Sequence, residues 1–168
     1  MKQEKCFHFH NQLTAKDLWG FSLYHSNRGH LGVFNLLFTL AAVFLLLTKW
    51  SEFTAGYRIL LVVCALLFSV WQPFQLYLKA GKQAKTKAVQ EPMEMTVSKE
   101  GMIIRQLDQE ITVQWEQVAR IERVNEMVII YTDRIHAYLL PGRVIGEQRE
   151  ALFELFREVL PKARLKRI

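Results

Sequence analysis

Two long runs without a charged side chain constrain this chain more than any other feature of its sequence. Leu31–Thr48 and Ile59–Leu78 contain no Asp, Glu, Lys, Arg or His, and Lys49–Arg58 between them carries the nearby charges. Each run contains twelve Leu, Ile, Val or Phe residues, and about 20 apolar helical residues cross the roughly 30 Å hydrocarbon layer of a bilayer. The rest of the chain is too short to bury two such helices in a water-soluble core. The sequence therefore predicts a transmembrane hairpin of two helices.

Basic residues beside the two runs predict the orientation of the hairpin. They precede the first run and follow the second one, at Lys2, Lys5, Lys16, Arg28, Lys79, Lys82, Lys85 and Lys87. The connecting loop has only Lys49 and Arg58. Because Lys and Arg concentrate on the cytoplasmic side, both termini are expected in the cytoplasm. This reading accounts for the net charge of +6, so no nucleic-acid partner is expected.

The basic run after the second span has two interpretations. It is first a topology signal, and second a set of contacts to anionic lipid headgroups, each worth about 1 kcal/mol near a charged leaflet. The basic C-terminal tail is expected to add to these contacts. The candidate lipid-binding residues are Lys79, Lys82, Lys85, Lys87, Arg164, Lys166 and Arg167.

Two amides inside the apolar runs are predicted to join the helices. Asn35 and Gln72 each lie about four residues from the cytoplasmic end of their run, and an amide in a membrane hydrogen-bonds across helices. Pro73 is expected to kink the second helix near its inner end. The runs contain no acid, His or Arg that could carry protons or ions, which argues against a pump or transporter.

The N-terminal arm, residues 1–30, predicts a strand followed by a helix. Aromatic and imidazole side chains alternate over Cys6–His10, as in a strand with one polar face. His8 and His10 are either a metal-binding pair or the polar face of an edge strand, and the second reading is favoured because no further ligand has matching spacing. No metal or other cofactor is expected. A capping box at Thr14 predicts an amphipathic helix over Ala15–Ser26.

The C-terminal part, residues 91–168, predicts an antiparallel meander closed by a helix. Short alternating runs are separated by turn residues, and they are expected at 93–97, 102–107, 111–115, 118–124, 127–132 and 135–139. Turns are expected at Asp108-Gln109 and Asn125-Glu126. Apolar residues at helical spacing from Leu152 to Leu160 predict the closing helix, which Pro161 ends. The alternating Phe7–Phe9 segment is available as a seventh strand.

These motifs resemble the YcxB-like family, small bacterial membrane proteins with two helices and a pleckstrin-homology-like C-terminal domain. The resemblance rests on four features: Leu-Thr-Ala-Lys-Asp-Leu-Trp near the N-terminus, the two spans, Trp115-x-x-Val118-x-x-Ile121, and Tyr138-Leu-Leu-Pro141 before the closing helix. One departure is that Gly142 follows Pro141, where the family more often has a basic residue. The resemblance implies a membrane α+β protein in the bacterial cytoplasmic membrane. The expected parts are the arm 1–30, the hairpin 31–78, the basic linker 79–90 and the domain 91–168.

No motif in the sequence indicates an enzyme. It has no glycine-rich phosphate loop, nucleophile elbow, His-Glu-x-x-His pattern or Cys-x-x-Cys pair. His136 has no evident carboxylate partner, and Glu147, Glu150, Glu154 and Glu158 form an ordinary solvated helix face. Three functions stay open: a membrane-anchored interaction module that binds a protein or lipid headgroups, an immunity or regulatory subunit packed against a larger membrane protein or toxin, and a homo-oligomer with a structural role in the membrane. In the second case Asn35, Gln72, Ala41, Ala42 and Ala65 are expected at the interface.

Overall fold

The structure is a computed structural model that describes residues 6–133 and 136–168. The chain forms two compact units. One is helical and consists of Thr14–Lys85. The other is mainly β and combines the chain up to Leu13 with Thr86–Ile168. The β unit is therefore assembled from both sides of the helical segment.

Four helices build the helical unit, and α1 packs on α4 while α2 packs on α3. They are α1 Ala15–Ser26, α2 His30–Thr48, α3 Ala55–Leu66 and α4 Gln72–Gln83. The predicted capping box starts α1: the Asp17 backbone N–H donates to Thr14 Oγ1 at 3.3 Å, and the Thr14 N–H donates to Asp17 Oδ2 at 2.8 Å. Two backbone N–H groups at the N-terminus of the helix are thereby satisfied, and the predicted bounds are confirmed.

The two apolar runs form helices that are long and apolar enough to cross a membrane. The first is α2, with 19 residues, and the mean hydropathy of its most apolar 18-residue stretch is 2.3. The second is continuous from Ala55 to Gln83, with 29 residues, and the corresponding value is 2.0. This helix is longer than the apolar run 59–78, because helical hydrogen bonding continues through polar residues of good helix propensity after the run ends.

A π-helical turn, Leu67–Trp71, connects α3 to α4. It lies just before Pro73, which has no N–H and whose ring clashes with the carbonyl four residues earlier in a regular α-helix. The Gln72 N–H instead bonds the Leu67 carbonyl, so the wider turn absorbs the proline. Pro73 therefore perturbs the helix at the predicted place, through a π turn.

In its described residues the β unit consists of eight strands and three α-helices, besides short 3₁₀ turns. They are β1 Phe7–Asn11, α5 Lys87–Gln90, β2 Met93–Val97, β3 Met102–Gln106, β4 Gln109–Val113, β5 Arg120–Val124, β6 Met127–Tyr131, β7 Ala137–Leu140, α6 Gly142–Ile145, α7 Arg149–Val159 and β8 Leu165–Lys166. The strand orders are β1-β2-β3-β4 in one sheet and β7-β6-β5-β8 in the other. All pairs are antiparallel except β5 with β8. Six predicted strands are present, β1 joins the first sheet as a seventh, and β8 was not predicted.

Two sequence predictions within the meander are wrong in detail. The turn between β3 and β4 is Leu107-Asp108, with φ values of 50° and 59°, whereas Asp108-Gln109 was expected. Positive φ at both central residues is the mark of a two-residue type I′ hairpin. Trp115 lies in a short 3₁₀ turn, Trp115–Gln117, and not in a strand. Its indole N–H donates to the carbonyls of Ser98 and Lys99 at 3.2 and 2.9 Å.

The core of the β unit lies between the two sheets and α7. Alternate residues of the strands face it, and α7 contributes Leu152, Phe153, Leu155 and Phe156, as its spacing predicts. Trp115 meets Phe156 edge to face, with ring centroids 5.9 Å apart. This contact closes the open end between the sheets with large apolar rings.

The hairpin turn yields a stability prediction. An L-residue other than Asn, Asp or Gly in the left-handed region costs roughly 1 kcal/mol or more, and the Leu107 side chain is half exposed. Leu107→Asn is expected to raise the free energy of unfolding by about 1 kcal/mol, measured by urea titration of the full chain in detergent. The control Gln109→Asn, in the adjacent extended strand, should give no gain. Equal effects of the two substitutions would contradict the assignment of strain to Leu107.

Candidate interaction surfaces

The net positive charge of the chain belongs to its first half. Residues 1–85 contain nine Lys and Arg against three Asp and Glu, whereas residues 86–168 contain thirteen of each. The difference over residues 1–85 equals the +6 of the whole chain. Because residues 86–168 carry no net charge, this part of the β unit has no general attraction for anionic surfaces. Any electrostatic attraction to anionic lipid therefore comes mainly from the basic residues on either side of the hairpin.

The four lysines of the basic run are exposed. Lys79 and Lys82 extend from the last turns of α4, Lys85 follows that helix, and Lys87 begins α5 in the β unit. The predicted linker 79–90 is thus largely helical, with a break at Lys85-Thr86. These lysines are suited to contact with headgroup phosphates.

Arg164 in the basic tail has a structural position. Its Nη1 donates to the carbonyls of Val118, Trp115 and Glu116 at 3.1, 3.4 and 3.4 Å, and so it holds the C-terminal segment on the 3₁₀ turn before β5. Lys166 and Arg167 are exposed. From the sequence, Arg164 was predicted to bind lipid because of its charge. Its hydrogen bonds could not be predicted, because the three carbonyls come together only in the folded domain.

The structure brings Asn35 and Gln72 together within the helical unit. Asn35 Nδ2 donates to Gln72 Oε1 at 3.3 Å. Close by, the indole N–H of Trp19 donates to the Pro73 carbonyl at 3.1 Å, and its ring meets Tyr77 edge to face. Trp19 therefore contacts the second helix near its proline. No local sequence pattern predicts this contact, because Trp19 and Pro73 are 54 residues apart.

The two histidines of β1 belong to the polar face of an edge strand. His8 Nδ1 lies 3.0 Å from Thr96 Oγ1, and His10 Nδ1 lies 3.9 Å from a Glu94 carboxylate oxygen. Across the same sheet, Arg105 Nε donates to Glu110 at 2.5 Å, and this bond raises the pKa of Arg105. Over the described residues, no three His, Cys, Asp or Glu side chains form a group suited to a metal.

His136 has a carboxylate partner, contrary to expectation. Its Nδ1 lies 2.6 Å from Asp133 Oδ2, and its backbone N–H donates to Asp133 Oδ1 at 2.6 Å. Residue 134, in the predicted turn, and residue 135, the start of the predicted sixth strand, lie outside the described residues. The pair is exposed, and its hydrogen bonds connect Asp133 to the residue that precedes β7.

The acidic stripe of α7 is partly neutralised by ion pairs. Glu158 pairs with Lys99 of the loop between β2 and β3, and Arg149 at the start of α7 pairs with Glu126 of the β5–β6 turn. The predicted solvated face is confirmed for Glu147 and Glu154, which are exposed. Such exposed pairs contribute little to stability.

Two small clefts open on the β unit. The larger, about 380 Å³, lies beside the β3–β4 hairpin and is lined mainly by charged and amide side chains. The smaller, about 220 Å³, lies between the ends of β1 and β7. There Asn11 Nδ2 donates to the Leu139 carbonyl at 2.6 Å, and burial raises the pKa of Tyr138. Neither is the enclosed, mostly apolar pocket typical of a small-molecule site.

The edge of β4 that faces away from β3 is an exposed backbone surface of the β unit. In the described residues β4 pairs only with β3, and four of its five residues are exposed. Ile111 is 47% exposed, and Leu107 at the adjoining turn is 51% exposed. They are the two large exposed apolar side chains of the described part of this unit. An edge of this kind is a site for strand addition.

A protein-family model described as YcxB-like protein matches residues 97–159. Over these residues the chain is similar to that family. The match confirms the resemblance that the sequence motifs indicated, over the stretch from the end of β2 to the end of α7. No curated protein and no solved structure matches the chain.

The YcxB-like segment includes some candidate sites and leaves out others. It contains the β4 edge and α7, whereas the basic run, the basic tail, the histidines of β1 and the Asn35–Gln72 pair lie outside it. The candidate sites outside it therefore depend on the geometry of this chain alone.

The carbonyl contacts of Arg164 predict a structural effect. Arg164→Gln is expected to lower the free energy of unfolding by about 1–3 kcal/mol, because three carbonyls lose a charged donor. The control Arg167→Gln removes the same charge from an exposed neighbour and should change stability by less than about 0.5 kcal/mol. Urea titration of the full chain measures both. Equal, small effects would show that Arg164 contributes only charge.

The Asn35–Gln72 hydrogen bond predicts an energetic coupling. In a double-mutant cycle, Asn35→Ala and Gln72→Ala should show a coupling of about 0.6–1.7 kcal/mol, the range of interhelical hydrogen bonds in membranes. Unfolding of the full chain in mixed detergent micelles measures it. As a control, Asn35→Ala with Ser69→Ala should show no coupling, because Ser69 Oγ donates to Ala65 of its own helix at 2.6 Å. Coupling of equal size in both cycles would exclude a specific pair.

Proposed function

We propose that this chain is a membrane-anchored, non-enzymatic interaction module at the cytoplasmic leaflet of the bacterial membrane. Its helical hairpin serves as the anchor, and its β unit serves as the binding domain. The observation that carries the proposal is the pairing of β1 with β2, in register from Phe7 with Val97 to Asn11 with Met93. It ties the two ends of the helical segment to one folded sheet.

The pairing of β1 with β2 supports an even number of membrane crossings. A sheet with polar backbone edges and charged faces cannot lie across a bilayer, so the chain must leave and return on one side. The two apolar helices supply two crossings. Their side chains are exposed, including Leu31, Leu47 and Ile59 at 68%, 79% and 65%, and a bilayer would cover them. The positive flanks assign the common side to the cytoplasm.

The arrangement of the β unit supports a pleckstrin-homology-like fold. Two antiparallel sheets enclose one core, and an amphipathic C-terminal helix closes it. In this comparison β1 supplies the first strand, although the whole helical unit separates it from the second one. The two-residue β8 is then an addition on the far edge of the second sheet.

The charge distribution supports separate roles for lipid and protein. The basic run, Lys79 to Lys87, contacts anionic headgroups, helped by Lys166 and Arg167. The nearly neutral β unit binds protein, because its exposed β4 edge offers backbone hydrogen bonds and it lacks a strong positive field.

The alternative function, an immunity or regulatory subunit, receives less support from the hairpin. Asn35 and Gln72, which were expected to face a larger partner, hydrogen-bond to each other. Ala42, one of the small residues proposed for that interface, is buried within this chain. The surfaces of the hairpin that remain available to a partner are therefore apolar. Near the Asn35–Gln72 pair they offer no polar group for specific recognition.

Retained lipid tests the proposal. Full-length protein purified from its membrane in mild detergent is expected to keep anionic phospholipid, quantified by mass spectrometry. Replacing Lys79, Lys82, Lys85 and Lys87 by Gln should remove most of it, since each cation near the leaflet contributes about 1 kcal/mol. The protein should remain in the membrane pellet after alkaline carbonate extraction, because the apolar helices and not the lysines anchor it.

A charge-matched variant provides the control. Four exposed cations elsewhere, Lys99, Arg105, Arg157 and Lys162, are replaced by Gln, and lipid retention should be unchanged. If both variants lost the same amount of phospholipid, lipid retention would depend on the total charge of the chain and not on the basic run. Release of the unmodified chain by carbonate would contradict the anchor itself, and a stoichiometric larger membrane partner with no retained lipid would favour the alternative function.

A further inference from the structure

The hydrogen-bonding direction of β4 follows from its turn. Because the loop has two residues, Gln106 and Gln109 are the hydrogen-bonded pair next to the turn. Farther along the hairpin, non-hydrogen-bonded and hydrogen-bonded pairs of residues alternate. Gln109, Ile111 and Val113 therefore bond to β3. The N–H and C=O groups of Glu110 and Thr112 point away from β3, to the free edge.

An apolar row that crosses the first sheet ends in solvent at this edge. Phe9, Met95, Ile104 and Ile111 are successive partners across β1, β2, β3 and β4. The first three are at most 4% exposed, whereas Ile111 is 47% exposed. The row therefore lacks a covering residue on the outer side of β4.

We propose that a second copy of this chain covers this edge, by antiparallel pairing of β4 with β4 centred on Ile111. Glu110 then lies opposite Thr112 of the second copy, and both residues have outward backbone groups, so the two equivalent pairs form four interchain hydrogen bonds. Ile111 meets its own copy at a non-hydrogen-bonded position, where side chains approach most closely. The two four-stranded sheets become one sheet of eight strands, and the apolar row continues across it.

The side chains that face each other across the two strands favour this register. Each Glu110 faces a Thr112 hydroxyl, and its carboxylate already accepts from Arg105 on the neighbouring strand at 2.5 Å. A register centred on Glu110 would place two carboxylates directly opposite each other, which is destabilising. Because residue i contacts residue j and j contacts i, the pairing closes as a twofold dimer and does not extend into a filament.

This inference deepens the proposed function, since it names the chain itself as the protein partner of the β unit. Anchoring in one membrane raises the effective concentration of the copies, so a short interface of this kind is sufficient for association. The pairing itself involves only residues of the β unit and is tested independently of lipid binding.

Disulfide trapping tests the register in the full-length chain. In a Cys6→Ser, Cys64→Ala background, Ile111→Cys is expected to form a covalent dimer under mild oxidation in membranes. Thr112→Cys is the matched control: its own copy lies two positions away in the register, and it should give little dimer. Trapping at Thr112 but not at Ile111, or at neither position, would overturn the proposal.

A blocking substitution tests whether the edge drives association without a crosslink. Thr112→Pro removes an N–H that points to the free edge, so the bonds between β3 and β4 are kept. It should convert the dimer to a monomer in light scattering of the detergent-solubilised full chain. Ile111→Lys should do the same by placing a charge in the apolar row. A dimer that survives both substitutions would assign association to another surface and overturn the proposal.

Discussion

The fold depends on the pairing of β1 with β2 across the helical segment. Phe7 and Phe9 are 8% and 4% exposed, and they complete apolar rows that begin in β2 and β3. Without β1 the Met95 side of the sheet would be an open edge over the core. The same pairing ties both ends of the hairpin to one domain, so one set of backbone hydrogen bonds defines the sheet and limits the membrane topology.

The two units expose apolar surface to very different extents. The β unit hides its apolar side chains from water between two sheets and α7, and its charges nearly balance. The helical unit has exposed apolar side chains along α2, α3 and α4, and the Asn35–Gln72 and Trp19–Pro73 bonds pair polar groups among its own helices. The exposed apolar surface of α2–α4 is the kind that a bilayer covers, and this is the physical basis of the proposed anchor.

Local patterns predicted most elements because they encode local physics. Alternation in β1 and helical spacing in α7 each report which face is buried, and the capping box at Thr14 reports where a helix begins. The predictions fail where a tertiary contact or a backbone geometry decides. Trp115 alternates with Val113 as in a strand, yet its indole N–H bonds the Ser98 and Lys99 carbonyls and the residue lies in a 3₁₀ turn. Leu107 has no turn propensity, but the strand register places the hairpin loop there.

The sequence by itself determined the two long apolar helices, their positive flanks, the alternating strands and the amphipathic closing helix. Each follows from periodicity or from a local count of charges. Only the tertiary structure decided that β1 pairs with β2, that Arg164 bonds three carbonyls, and that β4 is the free edge with Ile111 exposed. These features depend on which distant segments meet, and segment pairing is a long-range property that no local pattern of residues contains.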